Sequence, residues 1–202
     1  PCPLPALVAL GADDDARQVL LDLESAGLLA IELAEPLPTC VAVGLELACS
    51  PWAEGVEVVA AGVVAQALSA DLENVKREPD AERAAAAALG RIRDQRLFLE
   101  RFGGGLAQVR GHADTRDAWS PQVFLFGPDL SSASALRLRD LLAAGPPVAV
   151  AVVLAGRQAA PARAASTESI VRGEPRRAVG ETGREARIVP SGEGAVLEPY
   201  GI

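Results

Sequence analysis

Eight residues, Glu32-Leu-Ala-Glu-Pro-Leu-Pro-Thr39, stand where a phosphate-binding loop would stand. They lie between the apolar run Leu28–Ile31 and a helical segment ending near Cys49. The nucleotide-binding pattern for such a loop is G-x-x-x-x-G-K-[ST]: glycines let backbone N–H groups converge on phosphates, the lysine neutralises charge and the hydroxyl binds magnesium. Over these eight positions Glu32 replaces the first glycine, Leu37 the second and Pro38 the lysine. Thr39 alone keeps its type. Glu32 and Glu35 would repel a triphosphate, and Pro36 and Pro38 each remove an amide donor. The roughly half charge at a helix N-terminus does not offset two fixed negatives beside it. Thr39 is then expected to be a helix cap, and the stretch keeps the frame of a phosphate site without its chemistry.

A hydrolytic site of this kind also needs an acidic residue at the end of a neighbouring strand, to hold magnesium and orient water. The candidate strand Gln122–Phe126 is followed by Gly127 and Pro128, with Asp129 one step beyond. Asp129 is as well explained by the helix that follows as by a metal. Asp117, His112 and Ser120 share one loop, yet no G-x-S-x-G elbow exists and three residues of one loop rarely converge as a triad. Asp13-Asp14-Asp15 lacks the alternating ligands and closing glutamate of a calcium loop. Cys2, Cys40 and Cys49 show no C-x-x-C spacing and are odd in number, so buried free thiols are expected. With His112 the only histidine, a multi-histidine metal site is excluded. The expected site carries no catalytic residue, cofactor or metal.

The elements that must position these residues follow from hydrophobic periodicity. Leu4–Leu10 and Gln18–Leu23, around a Gly/Asp turn, predict a β-hairpin. Leu28–Ile31 predicts a buried strand. A helix is expected from Cys40 to Cys49, capped by Thr39, with Val41, Leu45, Ala48 and Cys49 on its inner face and Ser50-Pro51 as its stop. Val56–Val64 reads as one strand covered on both sides, and 68–78 as loop with a helical turn. Asp80–Phe102 predicts the longest helix, with a stripe of Leu89, Ile92, Leu99 and Phe102 and three glycines to end it. Residues 106–120 read as a polar loop. Gln122–Phe126 and Val148–Ala155 predict buried strands, with a helix from Ser131 or Ser132 to Ala144 between them.

Residues 157–183 have a linker-like, partly disordered composition. Glu185–Val189 and Ala195–Glu198 predict a closing hairpin packed on the domain. The reading is therefore an α/β domain over 1–156, a linker over 157–183 and a C-terminal hairpin over 184–202. The domain is three-layered and P-loop NTPase-like, with a mostly parallel sheet.

Composition narrows the function classes. The 202 residues carry a net charge of −8, against a dedicated nucleic-acid surface. Seven Arg against four Glu give residues 157–187 a net +3, which leaves −11 on the rest; this basic stretch reads as a solvated linker. The longest uncharged apolar run, Gly145–Gly156, is 12 residues, short of the roughly 20 that a membrane span needs. No secretory signal is visible, and a chain that starts at Pro1 and has no Met reads as an internal segment of a longer protein.

The order of parts brings a resemblance. The strand–loop–helix is followed by Ser50-Pro-Trp-Ala-Glu-Gly-Val-Glu-Val-Val59, later by Trp119-Ser-Pro-Gln-Val-Phe-Leu-Phe-Gly-Pro-Asp-Leu130, then by Val148-Ala-Val-Ala-Val-Val-Leu-Ala-Gly156. This resembles the FtsK/SpoIIIE-type translocase ATPase core over about residues 5–156. The opening GADDDARQVLLDLESAGLLAI and the ending EPYGI resemble a region of large actinobacterial membrane proteins. Those combine transmembrane helices, a LysM peptidoglycan-binding module and a bacterial transcriptional activator domain.

The sequence departs from the ATPase family at both catalytic motifs. What the resemblance implies is a pseudo-ATPase: a scaffold or interaction module of a membrane-associated regulator. Such a module would be cytoplasmic, tethered through regions outside this segment, and engaged with protein partners or other domains of its own chain. The alternatives are a nucleotide-binding ATPase with an atypical loop, although no Arg lies between Glu32 and Ser50, an unrelated small α/β enzyme, and DNA binding through the Arg-rich stretch.

Overall fold

The computed structural model describes residues 6–12, 15–51, 53, 55–68, 71–111, 119–156, 185–191 and 194–200. The linker reading of 157–183 therefore lies outside the described residues. So do Cys2, His112, Asp117 and two of the three aspartates of the Asp13–Asp15 cluster.

Strands β1 (Leu7–Ala12) and β2 (Gln18–Asp22) form the expected antiparallel hairpin. A four-residue helix α1 (Leu23–Ala26) leads into β3 (Leu28–Ile31), every residue of which is buried. Then come α2 (Pro36–Cys49), β4 (Glu57–Ala61), α3 (Val63–Ala67), β5 (Val75–Glu78) and the long α4 (Ala81–Phe102). After these follow α5 (Leu106–Gly111), β6 (Gln122–Phe126), α6 (Ser132–Ala143), β7 (Val150–Ala155), β8 (Glu185–Ser191) and β9 (Gly194–Tyr200).

Seven strands make one sheet in the order β5-β4-β6-β7-β3-β8-β9. All neighbours are parallel except β8 and β9, which form the terminal hairpin. Both faces are covered, so the central strands are apolar throughout and their residues alternate between two cores. Phe124 and Phe126 of β6 join Ile92, Leu99, Leu138 and Leu142 beneath α4 and α6. Val123 and Leu125 join Cys40, Val43, Leu47 and Val64 beneath α2 and α3. The result is an α/β three-layer domain.

Several expectations need correction. The run Val56–Val64 is not one strand: β4 ends at Ala61, and Gly62, at φ +55°, turns the chain into α3. Within 68–78, read as loop, Val75–Glu78 is an edge strand. Within 106–120, α5 forms over its first six residues and Trp119 is buried.

The inner face of α2 is Cys40, Val43, Gly44 and Leu47, whereas Leu45 and Cys49 are exposed. The helix is apolar nearly all round, so periodicity leaves its phase open and packing against β1 and the sheet decides it. Phe102, expected in the α4 stripe, is 40% exposed and stacks on Phe98 instead. The glycine end of α4 does hold, with Gly103 closing the helix in the left-handed region, and at its start the Asp80 carboxylate accepts the Glu82 and Arg83 N–H groups.

Candidate functional site

In open parallel sheets, ligands sit outside the carboxyl ends of the strands. Here that edge gathers the loop after β3, the Gly127–Asp129 turn after β6, and the starts of α2, α3, α4 and α6. Each helix start offers unused N–H groups and partial positive charge, which is what a phosphate would use.

The start of α2 has lost part of that capacity. The helix begins at Pro36, immediately after Glu35, and Glu35 makes no side-chain capping bond. Thr39 is therefore not the cap; it is the fourth residue of the helix. Pro36 explains the early start, since its fixed φ suits the first helical position and its missing N–H is not needed there. The four residues whose N–H groups precede the first intrahelical bond are Glu35, Pro36, Leu37 and Pro38, and the two prolines have none. Leu37 packs against the core on the α2 side, Pro38 is exposed and Thr39 half-buried.

Glu32 is engaged elsewhere. Its N–H donates to the Ile188 carbonyl oxygen at 2.8 Å. Its Oε1 lies 3.4 Å from Arg187 Nη1 of β8 and 3.8 Å from Arg139 Nη2 of α6.

The acidic-strand positions lie on the far side of an intervening strand, because β7 separates β3 from β6. Asp129 turns further away. Its Oδ2 accepts the Val63 N–H at 3.0 Å, over the start of α3, which follows β4 on the opposite flank of β6. A Cβ on Gly62 would stand 1.9 Å from that same oxygen. A Cβ on Gly127 would stand 2.3 Å from Val63 Cγ2 and 2.8 Å from Asp129 Oδ1, so the position directly after the strand has no room for an acid.

The other helix starts are filled from within the chain. Asp80 Oδ1 accepts the Glu82 N–H at 2.9 Å and the Arg83 N–H at 3.1 Å at α4. At α6 the Ser131 hydroxyl accepts the Ser134 N–H at 3.2 Å. Glu82 reaches across to accept the Ser131 N–H at 2.9 Å and the Ser134 hydroxyl at 2.5 Å, and these bonds hold its carboxyl below the usual range. Glu78 accepts from Arg83 Nε at 2.7 Å and from the Asp80 N–H at 3.0 Å, and its carboxyl is likewise lowered, chiefly by Arg83. Neither Glu78 nor Glu82 stands out in the sequence, where both read as ordinary surface acids around a helix start.

Among described residues no group of three or more His, Cys, Asp or Glu is arranged to hold a metal. Of the three proposed triad residues only Ser120 is described, half-buried. The thiols divide: Cys40 is buried, with its pKa pushed up to about 12 by loss of solvation, while Cys49 is exposed. A hollow of about 440 Å³ runs along α4, floored by Gly90, Phe98 and Trp119, and includes none of the loop residues.

No protein-family model matches the sequence, and no curated protein is significantly similar to it. Solved structures do match. That of the pCW3 conjugation coupling protein TcpA, in monomer form with ATPγS, superimposes with a TM-score of 0.55 at 10% identity. The match covers 77% of this chain and 49% of the TcpA chain, so this chain spans about half the length of that protein. The fold is therefore α/β, three-layered and P-loop NTPase-like. At such identity the likeness is one of fold, and the chemistry rests on the residues at the sheet edge. No helix among the described residues is long and apolar enough to cross a membrane.

Proposed function

We propose that this chain is a non-catalytic P-loop-like module, a scaffold or interaction domain in which the nucleotide site has been given over to structure. The observation that carries this reading is the internal filling of the sheet edge. Asp129, Asp80 and Glu82 occupy N–H groups at the starts of α3, α4 and α6, while Pro36 and Pro38 delete donors at α2. Carboxylates at three helix starts, with Glu32 and Glu35 beside the fourth, oppose an incoming triphosphate electrostatically.

The sequence resemblance adds a context: a segment of a larger membrane-associated regulator carrying LysM and transcriptional activator modules. In that setting the segment faces the cytoplasm, is tethered through other parts of the chain, and engages protein partners or neighbouring domains. Calorimetric titration with Mg²⁺ and ATP to millimolar concentration tests the central claim. No heat of binding is expected, and a saturable, Mg²⁺-dependent isotherm overturns it.

A second reading, nucleotide binding through an atypical loop, is favoured by the likeness to TcpA, whose structure was solved with ATPγS. It requires a cation from elsewhere, since α2 carries no Arg or Lys. Phosphate release abolished by Thr39→Ala would support it.

A further inference from the structure

The joint between β3 and β8 carries a buried ion cluster on one face, whereas the charged pair across the β4–β5 joint, Lys76 and Glu57, is largely exposed. On the α2 side Ala186 and Ile188 enter the apolar core. On the other side, Glu185 and Arg187 share a face by strand alternation, and Arg139 of α6 meets them there. Arg187 Nε lies 3.1 Å from Glu185 Oε1, Arg139 Nη2 3.5 Å from Glu185 Oε1, and Glu32 Oε1 within 3.8 Å of both arginines. Both arginine side chains are 9% exposed. Four charges, Glu32 just after β3, Arg139 of α6 and Glu185 and Arg187 of β8, therefore meet at this joint.

The network is only partly satisfied. Glu32 Oε1 and Arg139 Nε are buried without a hydrogen bond. A buried ion cluster of this kind holds elements together less strongly than well-packed apolar side chains, yet removing one member leaves a buried charge uncompensated. That combination gives an element with its own low-cost opening and a sharp dependence on each charge.

We propose that the β8–β9 hairpin is an electrostatically latched element that undocks from β3 as a unit, and that Glu32, in the first phosphate-loop position, is the catch. The side chain that stands in place of the loop's first glycine holds Arg187 of the hairpin and Arg139 of α6. Loop and hairpin are then thermodynamically coupled: what disturbs Glu32 loosens β8, and what pulls β8 away frees the loop. The inference does not depend on whether nucleotide binds, so its failure and that of the scaffold reading are separable.

Hydrogen–deuterium exchange on the whole chain tests it. In Glu32→Gln, amides of 185–191 and 194–200 are expected to exchange at least tenfold faster, with β4 and β6 unchanged. The charge-swapped pair Glu32→Arg with Arg187→Glu should recover part of that protection, and Arg139→Met should reproduce the selective loss. Unchanged exchange in the hairpin, or equal acceleration in β4, β6 and β8, overturns the latch. So does a swapped pair that is no better protected than Glu32→Gln, because it would show that the charges act independently.

Discussion

The carboxylate of Asp129 lies on the amide of Val63, 3.0 Å from oxygen to nitrogen, and the chain between their strands is shaped around that bond. Gly62 has no Cβ where the carboxylate sits, and Gly127 has none where Val63 packs. An acid that could have served a metal serves a helix.

Asp129→Ala should therefore act as loss of a helix cap, lowering stability by about 1 kcal/mol. Gly62→Ala meets both a positive φ and the carboxylate and should cost more, about 1–3 kcal/mol. Urea unfolding of both variants measures this. Equal stability of Asp129→Ala and the parent would show that the bond contributes nothing.

Gly44 lies mid-helix in α2, where alanine normally helps by about 1 kcal/mol. A Cβ there would stand 2.6 Å from Leu125 Cδ1 and 3.0 Å from Leu68 Cδ1, and both leucines are fully buried. Overpacking should prevail, and Gly44→Ala should lose about 1–3 kcal/mol. A rise in the thermal midpoint would mean that Leu125 and Leu68 have room to move.

Acid sensitivity should localise to the α4–α6 bridge. Glu82 is held below its ordinary value of 4.5 by the Ser134 hydroxyl and the Ser131 N–H, so the folded chain takes up this proton less readily than the unfolded one. Its contribution is then complete above the unfolded value and is lost as pH falls through the folded one. Denaturant midpoints between pH 7 and pH 3 should fall less steeply for Glu82→Gln than for the parent. Parallel curves would remove Glu82 from the account.

The two described thiols should react very differently. Cys49 is exposed, whereas Cys40 is buried with its pKa raised to about 12. The thiolate is the reactive form. Brief alkylation at pH 8 followed by peptide mapping should label Cys49 and leave Cys40 untouched until denaturant is added. Comparable labelling of both in the native protein would contradict the buried placement of α2.

Elements with a strong local signature were legible in the sequence. Short buried apolar runs marked β3 and β6, a β-branched run marked β7, and the alanine-rich stripe with its closing glycines marked α4. Strand β5 was not legible, because Val-Lys-Arg-Glu is a charged edge strand without an apolar run, as edges that resist pairing tend to be. The start of α2 was misplaced because Thr39 is a good cap by type, but Pro36 is a better first helical residue. At the site, the departures of Glu32, Pro36 and Pro38 from the phosphate-loop pattern could be read directly. The partners of Glu32 could not, since Arg139 and Arg187 lie more than a hundred positions away and only the folded sheet brings them near.

The self-capped edge also shapes which sequences are reachable from this one. Clearing a path for phosphate would require freeing amides that Asp129, Asp80 and Glu82 now occupy, replacing two prolines, and displacing Glu32 from two buried arginines. Each step taken alone weakens the fold before any ligand can compensate. Acids that cap helices and pair with buried arginines are thus tied to stability, and selection for a folded chain opposes removing them one at a time.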